Sequence, residues 1–189
     1  MILRCFILTA AILITITANA QTGADTKNNA DNITWLSYTD TAYQFSFKYP
    51  SSGWTLKLPN TNTRFFVTSH PENDADNFRE NINCIVRKIE QPDFDIKAAE
   101  AEILKSIAEK MVDFKLVSSG YIKWNNVTAL VLDYTVTSKA DGIAYNIHMR
   151  QQLAVVNNLL FTISYTADAA NYNKYLPTIK KIIQSVKLQ

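Results

Sequence analysis

The chain has 189 residues, with 19 basic and 17 acidic side chains and a formal charge of +2. That near balance excludes the clustered positive charge on which nucleic-acid binding and polybasic membrane adhesion depend.

Met1 to Arg4 is a short basic start, Phe6 to Ile16 an almost unbroken apolar run, and Ala18-Asn-Ala20 a small-x-small cleavage pattern. The expectation is a signal peptide over residues 1–20, cut before Gln21, and a periplasmic or secreted protein. The alternative is an uncleaved signal that tethers the same domain to the membrane, the only membrane contact expected. Cys5 lies too far upstream of the cut for a lipoprotein. Removal of residues 1–20 takes Arg4 and Cys5 with it, leaves a formal +1, and leaves Cys84 without an intrachain partner. Among Ile82, Ile85 and Val86, Cys84 reads as a buried structural thiol.

Residues 21–32 are small and polar without periodicity and read as a disordered leader; residues 33–189 suit one domain. A short strand is expected at Trp35–Tyr38. In the next, Tyr43 to Tyr49, the rings of Tyr43, Phe45, Phe47 and Tyr49 share one face, and Pro50 stops the ladder. Ser51-Ser-Gly53 turns the chain so that Trp54, Leu56 and Leu58 return to the core. Strands follow at Arg64–Ser69 and Asn81–Ile89. Ala99, Ile103, Ile107 and Met111 recur at helical spacing, which predicts a helix over 96–112 capped by Asp93 or Asp95.

The second half reads as four strands joined by hairpins: 114–124, 127–138, 143–155 and 159–166. Asn125-Asn126, Asp141-Gly142 and Asn157-Asn158 supply the residues that tight turns need. The last element is a helix carrying Tyr172, Leu176, Ile179, Ile183 and Val186 on one side, with a kink or a start near Pro177. This order predicts an α+β fold in which a central antiparallel sheet has helices packed on its faces.

The aromatic strand ending at Tyr49-Pro50 with Trp54 after it, the segment Asp76-Asn-Phe-Arg-Glu-Asn-Ile82, the central helix, the hairpins and the terminal Ile182-Ile-Gln-Ser185 together resemble the PsbP-like superfamily, including its bacterial exported members. The resemblance covers residues 35–187. It implies an α/β/α sandwich and non-enzymatic work: photosynthetic members dock on photosystem II and help retain calcium and chloride, and a eukaryotic relative binds the GTPase Ran. The superfamily has no shared catalytic motif to carry over. The chain shows no bipartite thylakoid leader and no photosystem docking segment, so a photosynthetic role is not implied.

Catalytic signatures are sparse. Gly53, Gly120 and Gly142 are each turn or edge residues, so no phosphate cradle or nucleophile elbow can be built. His70 and His148 lack partners at metal-ligand spacing, and the oxygen-rich Asn73-Asp-Ala-Asp-Asn77 with Glu80 lacks the glycine and distant glutamate of a calcium loop. No cofactor is expected.

One constellation stands out. Asn146, His148, Arg150 and Gln152 line one face of strand 143–155. A two-residue Asp141-Gly142 turn sets Arg150 opposite Asp133 and His148 opposite Thr135. Such a charge pair contributes roughly 0.2–1 kcal/mol as plain structure; the functional alternative is a shallow site for a small anionic ligand centred on Arg150. Trp124, at a hairpin tip, is the expected contact for a protein partner. Function is therefore expected to be docking to an envelope or extracellular protein, with carriage of a small ligand between sheet and helix as the alternative.

Overall fold

The computed structural model describes residues 33–188 apart from 60, 61, 92 and 141. The signal and leader expectations fall on residues outside this range. Two sheets form the framework. The smaller has the order β1-β2-β10, from β1 (Trp35–Asp40), β2 (Phe45–Pro50) and β10 (Lys187–Leu188). The larger contains β3 (Trp54–Lys57), β4 (Thr63–Ser69), β5 (Asn81–Lys88), β6 (Val112–Trp124), β7 (Val127–Ala140), β8 (Ile143–Val156) and β9 (Leu159–Asp168). Its order is β3-β4-β5-β9-β8-β7-β6, and every pairing is antiparallel.

The hairpins follow from the turn residues. Asn125 and Asn126 have φ of 48° and 65°, and Asn157 and Asn158 have 52° and 59°, the left-handed pair that a two-residue turn requires. Gly142, at φ 79°, does the same between β7 and β8. Because the strands alternate strictly, those turns decide which residues face which layer.

One face of the large sheet is covered by the small sheet and by α2 (Tyr172–Ser185). Phe45 and Phe47 of β2 are buried there; Phe47 stacks on Phe65 of β4 with ring centroids 4.0 Å apart, and Phe45 meets Phe161 of β9 edge-on. The aromatic strand thus belongs to a second sheet whose rings bind it to the first. Tyr43 is not in that strand: Gln44 has φ 52°, residues 41–44 form the turn, and the half-buried Tyr43 ring lies under the Arg64 guanidinium. Leu58, expected in the core, is exposed, since β3 ends at Lys57.

The other face packs on α1 (Glu100–Ala108) through Ile103 and Ile107, with Ile96 and Phe78 beside them. α1 is shorter than its periodicity suggests. Asp95 Oδ1 accepts the Lys97 N–H at 2.9 Å, so the Asx turn it forms winds residues 96–99 before the regular helix begins. α2 runs through Pro177, its sixth residue, so the ring deprives only the Asn173 carbonyl of its helical partner.

Residues 186–188 complete the small sheet. Val186 leaves α2 in an extended conformation, and Lys187 and Leu188 pair with Ser46 and Phe45. Phe47→Ala should therefore cost about 3–5 kcal/mol in urea unfolding, because it loosens the join between the sheets. A loss below about 1 kcal/mol would show that the join is held by something else.

Candidate functional site

The predicted register of β7 and β8 is the one observed, with Asp133 opposite Arg150, Thr135 opposite His148 and Thr137 opposite Asn146. Three of the expected side chains, Asp133, His148 and Arg150, gather at Tyr172 in the first turn of α2. Arg150 Nη1 donates to Asp133 Oδ2 at 2.5 Å, and the Tyr172 hydroxyl donates to Asp133 Oδ1 at 2.6 Å. The His148 ring lies flat on Tyr172, with centroids 3.6 Å apart and planes 8° from parallel. Tyr165 donates its hydroxyl proton to the Tyr172 carbonyl at 2.9 Å. Asn146 is exposed at the strand's beginning, outside this cluster.

Electrostatics give each group a state. His148 is pushed below its ordinary 6.5 chiefly by burial, which outweighs the opposite pull of Asp133; Arg150 adds to the lowering. The imidazole is therefore neutral at neutral pH, and its 3.9 Å approach to Asp133 is not an ion pair. Burial, then the hydrogen bond to Asp133, raises the Tyr172 phenol and keeps it a donor. The Arg150 charge is met by Asp133, so the cluster is closed on itself. Two atoms remain unsatisfied: His148 Nε2 and Gln152 Nε2 have no partner although both are buried. Each such group costs about 1–3 kcal/mol.

Trp124 is not an exposed contact. It is 8% exposed and packs in the core, with Nε1 donating to the Ile183 carbonyl at 3.4 Å. The reason is the turn of the chain after α2: Asn125 Nδ2 donates to the Val186 carbonyl at 2.9 Å and its Oδ1 accepts the Leu188 N–H, which draws residues 183–188 over the hairpin tip.

In the loop 71–80 Asn73 and Asp76 spend oxygens on the loop's own backbone, while Glu72 accepts from Lys174 and Tyr175 of α2. Asp76 accepts backbone N–H groups of Glu72 and Phe78, and Asn73 accepts that of Ala75. Among the described residues no group of three His, Cys, Asp or Glu is placed to hold a metal. Glu80 at the loop's end is buried beside Ser69 Oγ, 3.2 Å away, and burial raises its pKa. His70 shares a 3.0 Å hydrogen bond with Thr55, and Cys84 is a buried free thiol.

The PsbP family profile matches residues 34–188. The chain belongs to the PsbP family. Solved structures agree: cyanobacterial PsbP from Synechocystis sp. PCC 6803 superposes with a TM-score of 0.59 at 14% identity, over 87% of this chain and 98% of that one. A protein of unknown function from Pseudomonas aeruginosa, PA94, gives 0.56 at 14%, over 80% and 94%. LpqN of Mycobacterium tuberculosis, involved in cell envelope biogenesis, gives 0.54 at 12%, over 84% and 92%. No curated protein matches in sequence. At such identities the likeness carries the PsbP fold alone.

In this PsbP-family chain the residue that sequence reasoning missed is Tyr172. Helical spacing placed its ring toward the core, and no sequence signal shows that its hydroxyl reaches Asp133.

Two outcomes follow from this cluster. Since the folded state resists protonation of His148, the unfolded state binds the proton first, and stability is lost as pH falls below about 6.5. Urea unfolding between about pH 7 and pH 5 should show a steeper decline in the wild type than in His148→Phe; identical slopes would place the lowering elsewhere. Asp133→Ala should cost about 2–4 kcal/mol and more than Arg150→Ala, because it strips a partner from both Arg150 and Tyr172.

Proposed function

We propose that this chain is an exported, non-catalytic docking module that binds a protein of the envelope or the extracellular space through the outer edge of β6. The observation that carries the reading is the exposure of that strand. β6 ends the large sheet, so one row of its backbone groups has no neighbouring strand. Along it Val112, Leu116, Val117, Tyr121 and Ile122 are all exposed, Val117 to 59%. Five of the large apolar side chains left at the surface thus lie on one strand, a concentration that marks interaction surfaces.

The edge is also shaped. Irregularities at Val112/Lys115 and Leu116/Ser118 break the ladder near its start and leave Ser118–Trp124 in regular register with β7. That segment is long enough to accept an added strand. Lys97 over the Tyr121 ring and the hydrogen bond from Tyr121 to Glu100 tie the strand to α1. The Glu100 carboxylate raises the Tyr121 phenol to about 12, so it remains neutral and donating.

The non-catalytic reading is supported by how the polar side chains are spent: Asp133 on Arg150 and Tyr172, and His148 on the Tyr172 ring. The envelope role of LpqN is in keeping with an envelope setting.

A photo-crosslinking residue placed at Ile122 or Val117 should capture a discrete protein in the producing cell, while the same residue at exposed Leu58 should not. Equal capture at all three positions, or none on β6, would remove the edge from consideration.

A further inference from the structure

The two-residue turn at Asn125-Asn126 decides more than the register of β6 and β7. Trp124 and Val127 flank it, and in a hairpin of this type the flanking residues form a hydrogen-bonded pair. Bonded and non-bonded pairs then alternate back along the strand, so Ile122, Gly120 and Ser118 turn their N–H and C=O toward β7. The backbone groups of Ser119, Tyr121 and Lys123 point away from the sheet. Their side chains lie on the α1 face: Tyr121 is opposite Leu130, and its hydroxyl donates to Glu100. Ile122, opposite Ala129, and Gly120, two residues before it, lie on the α2 face.

Ser118–Trp124 is the stretch in regular register with β7, and Tyr121 is its midpoint. A two-fold axis at Tyr121 sets this segment antiparallel against the same segment of a second copy. Tyr121 then meets Tyr121, Lys123 meets Ser119, and Ile122 meets Gly120. Every outward-facing residue meets another, which gives about six backbone hydrogen bonds across the join.

The side chains suit this register on both faces. Gly120 has none of the positive φ seen at Gly53 and Gly142, so its own backbone does not call for glycine. Beyond its chain neighbours no atom lies within 4 Å of the place a Cβ would take. Glycine inside a strand often marks a place where another backbone comes close, and the exposed Ile122 of the second copy covers this gap. On the α1 face Lys123 stands diagonal to Tyr121 of the second copy, about 7–8 Å across, where that tyrosine holds Glu100. Among the described residues neither Lys123 nor Glu100 has an ion pair within its own chain. The two-fold brings them together twice, and no two charges of one sign stand opposite each other in the ladder.

We propose that a second copy of this chain is the resting occupant of β6, paired about a two-fold axis at Tyr121, and that the pair opens when a docking partner takes its place. The exchange rests on the docking reading of β6; self-pairing stands on the strand's own register. Stable interfaces engage about 20–30 residues a side. The seven residues Ser118–Trp124 fall well short of that, so the pairing is reversible and yields the edge to a stronger binder.

Sedimentation velocity of the full-length chain between about 1 and 500 μM should show a shift from one chain to two. In Ser119→Pro the ring removes an N–H that faces away from β7, a place where an edge strand tolerates proline, and the dimer should be lost. Lys123→Glu sets a carboxylate beside Glu100 at both ends of the join and should weaken dimerisation about tenfold, with the monomer's melting temperature unchanged. This second variant decides the matter if Ser119→Pro does not fold. A chain that stays single at about 500 μM, or a dimer that either folded variant leaves unchanged, would overturn self-pairing. Docking is judged separately, by whether cross-linking from Ile122 in the cell captures a chain of another mass. A dimer without such capture would remove the docking partner and leave self-pairing in place.

Discussion

Asp133 accepts one hydrogen bond from Arg150 and another from Tyr172, and through the second it holds the first turn of α2 against the sheet. A carboxylate at this depth is tolerable only because both its oxygens are engaged and one partner carries the opposite charge. α2 has no side-chain cap at Asn171, so this outside fastening, with Tyr165 bonded to the Tyr172 carbonyl, sets where the helix begins. Ile179, Ile182 and Ile183 are then placed over the core, and the helix ends where Trp124 and Asn125 can grip it. β10 follows directly, so the small sheet depends on the same anchorage.

The α+β architecture, the strand and hairpin order and the pairing of Asp133 with Arg150 were legible in the sequence, because turn residues and period-two alternation are local signals. Asn125-Asn126 and Asn157-Asn158 announce their own backbone angles, and once a two-residue turn is set between β7 and β8, opposite residues follow by counting. What was not legible depends on contacts far apart in the chain. Nothing near Trp124 shows that residues 183–188 return to cover it. Nothing in Tyr43 to Pro50 shows that this strand stands outside the large sheet and pairs with residues 187–188. The end of α1 moved for a local reason, the Asx turn at Asp95, which helical periodicity does not register.

The two faces of the large sheet are built on different principles. Toward α2, aromatic and branched side chains interlock beside the cluster of Asp133, Arg150, His148 and Tyr172. Toward α1, the sheet changes character across its width: β7 and β8 present Leu130, Leu132, Met149 and Leu153, while β9 and β5 present threonine, serine and asparagine. Gln151 stands on the boundary, a polar residue interrupting the apolar face of β8. The composition of this face therefore changes within one continuous sheet while its residues stay buried.

The position of β10 has a consequence for how the molecule reaches its final state. β2 lies early in the chain, yet its second neighbour is residues 187–188, and the Lys48 amide bonds to Ser185 Oγ across 137 positions. Contacts so remote in sequence close late, since the entropy of the intervening loop is lost before they return anything. A chain emerging from its N-terminus leaves one edge of β2 unpaired until residues 187–188 are available. Completion of the small sheet waits for residues 185–188, so a change in that segment acts on a strand far earlier in the chain.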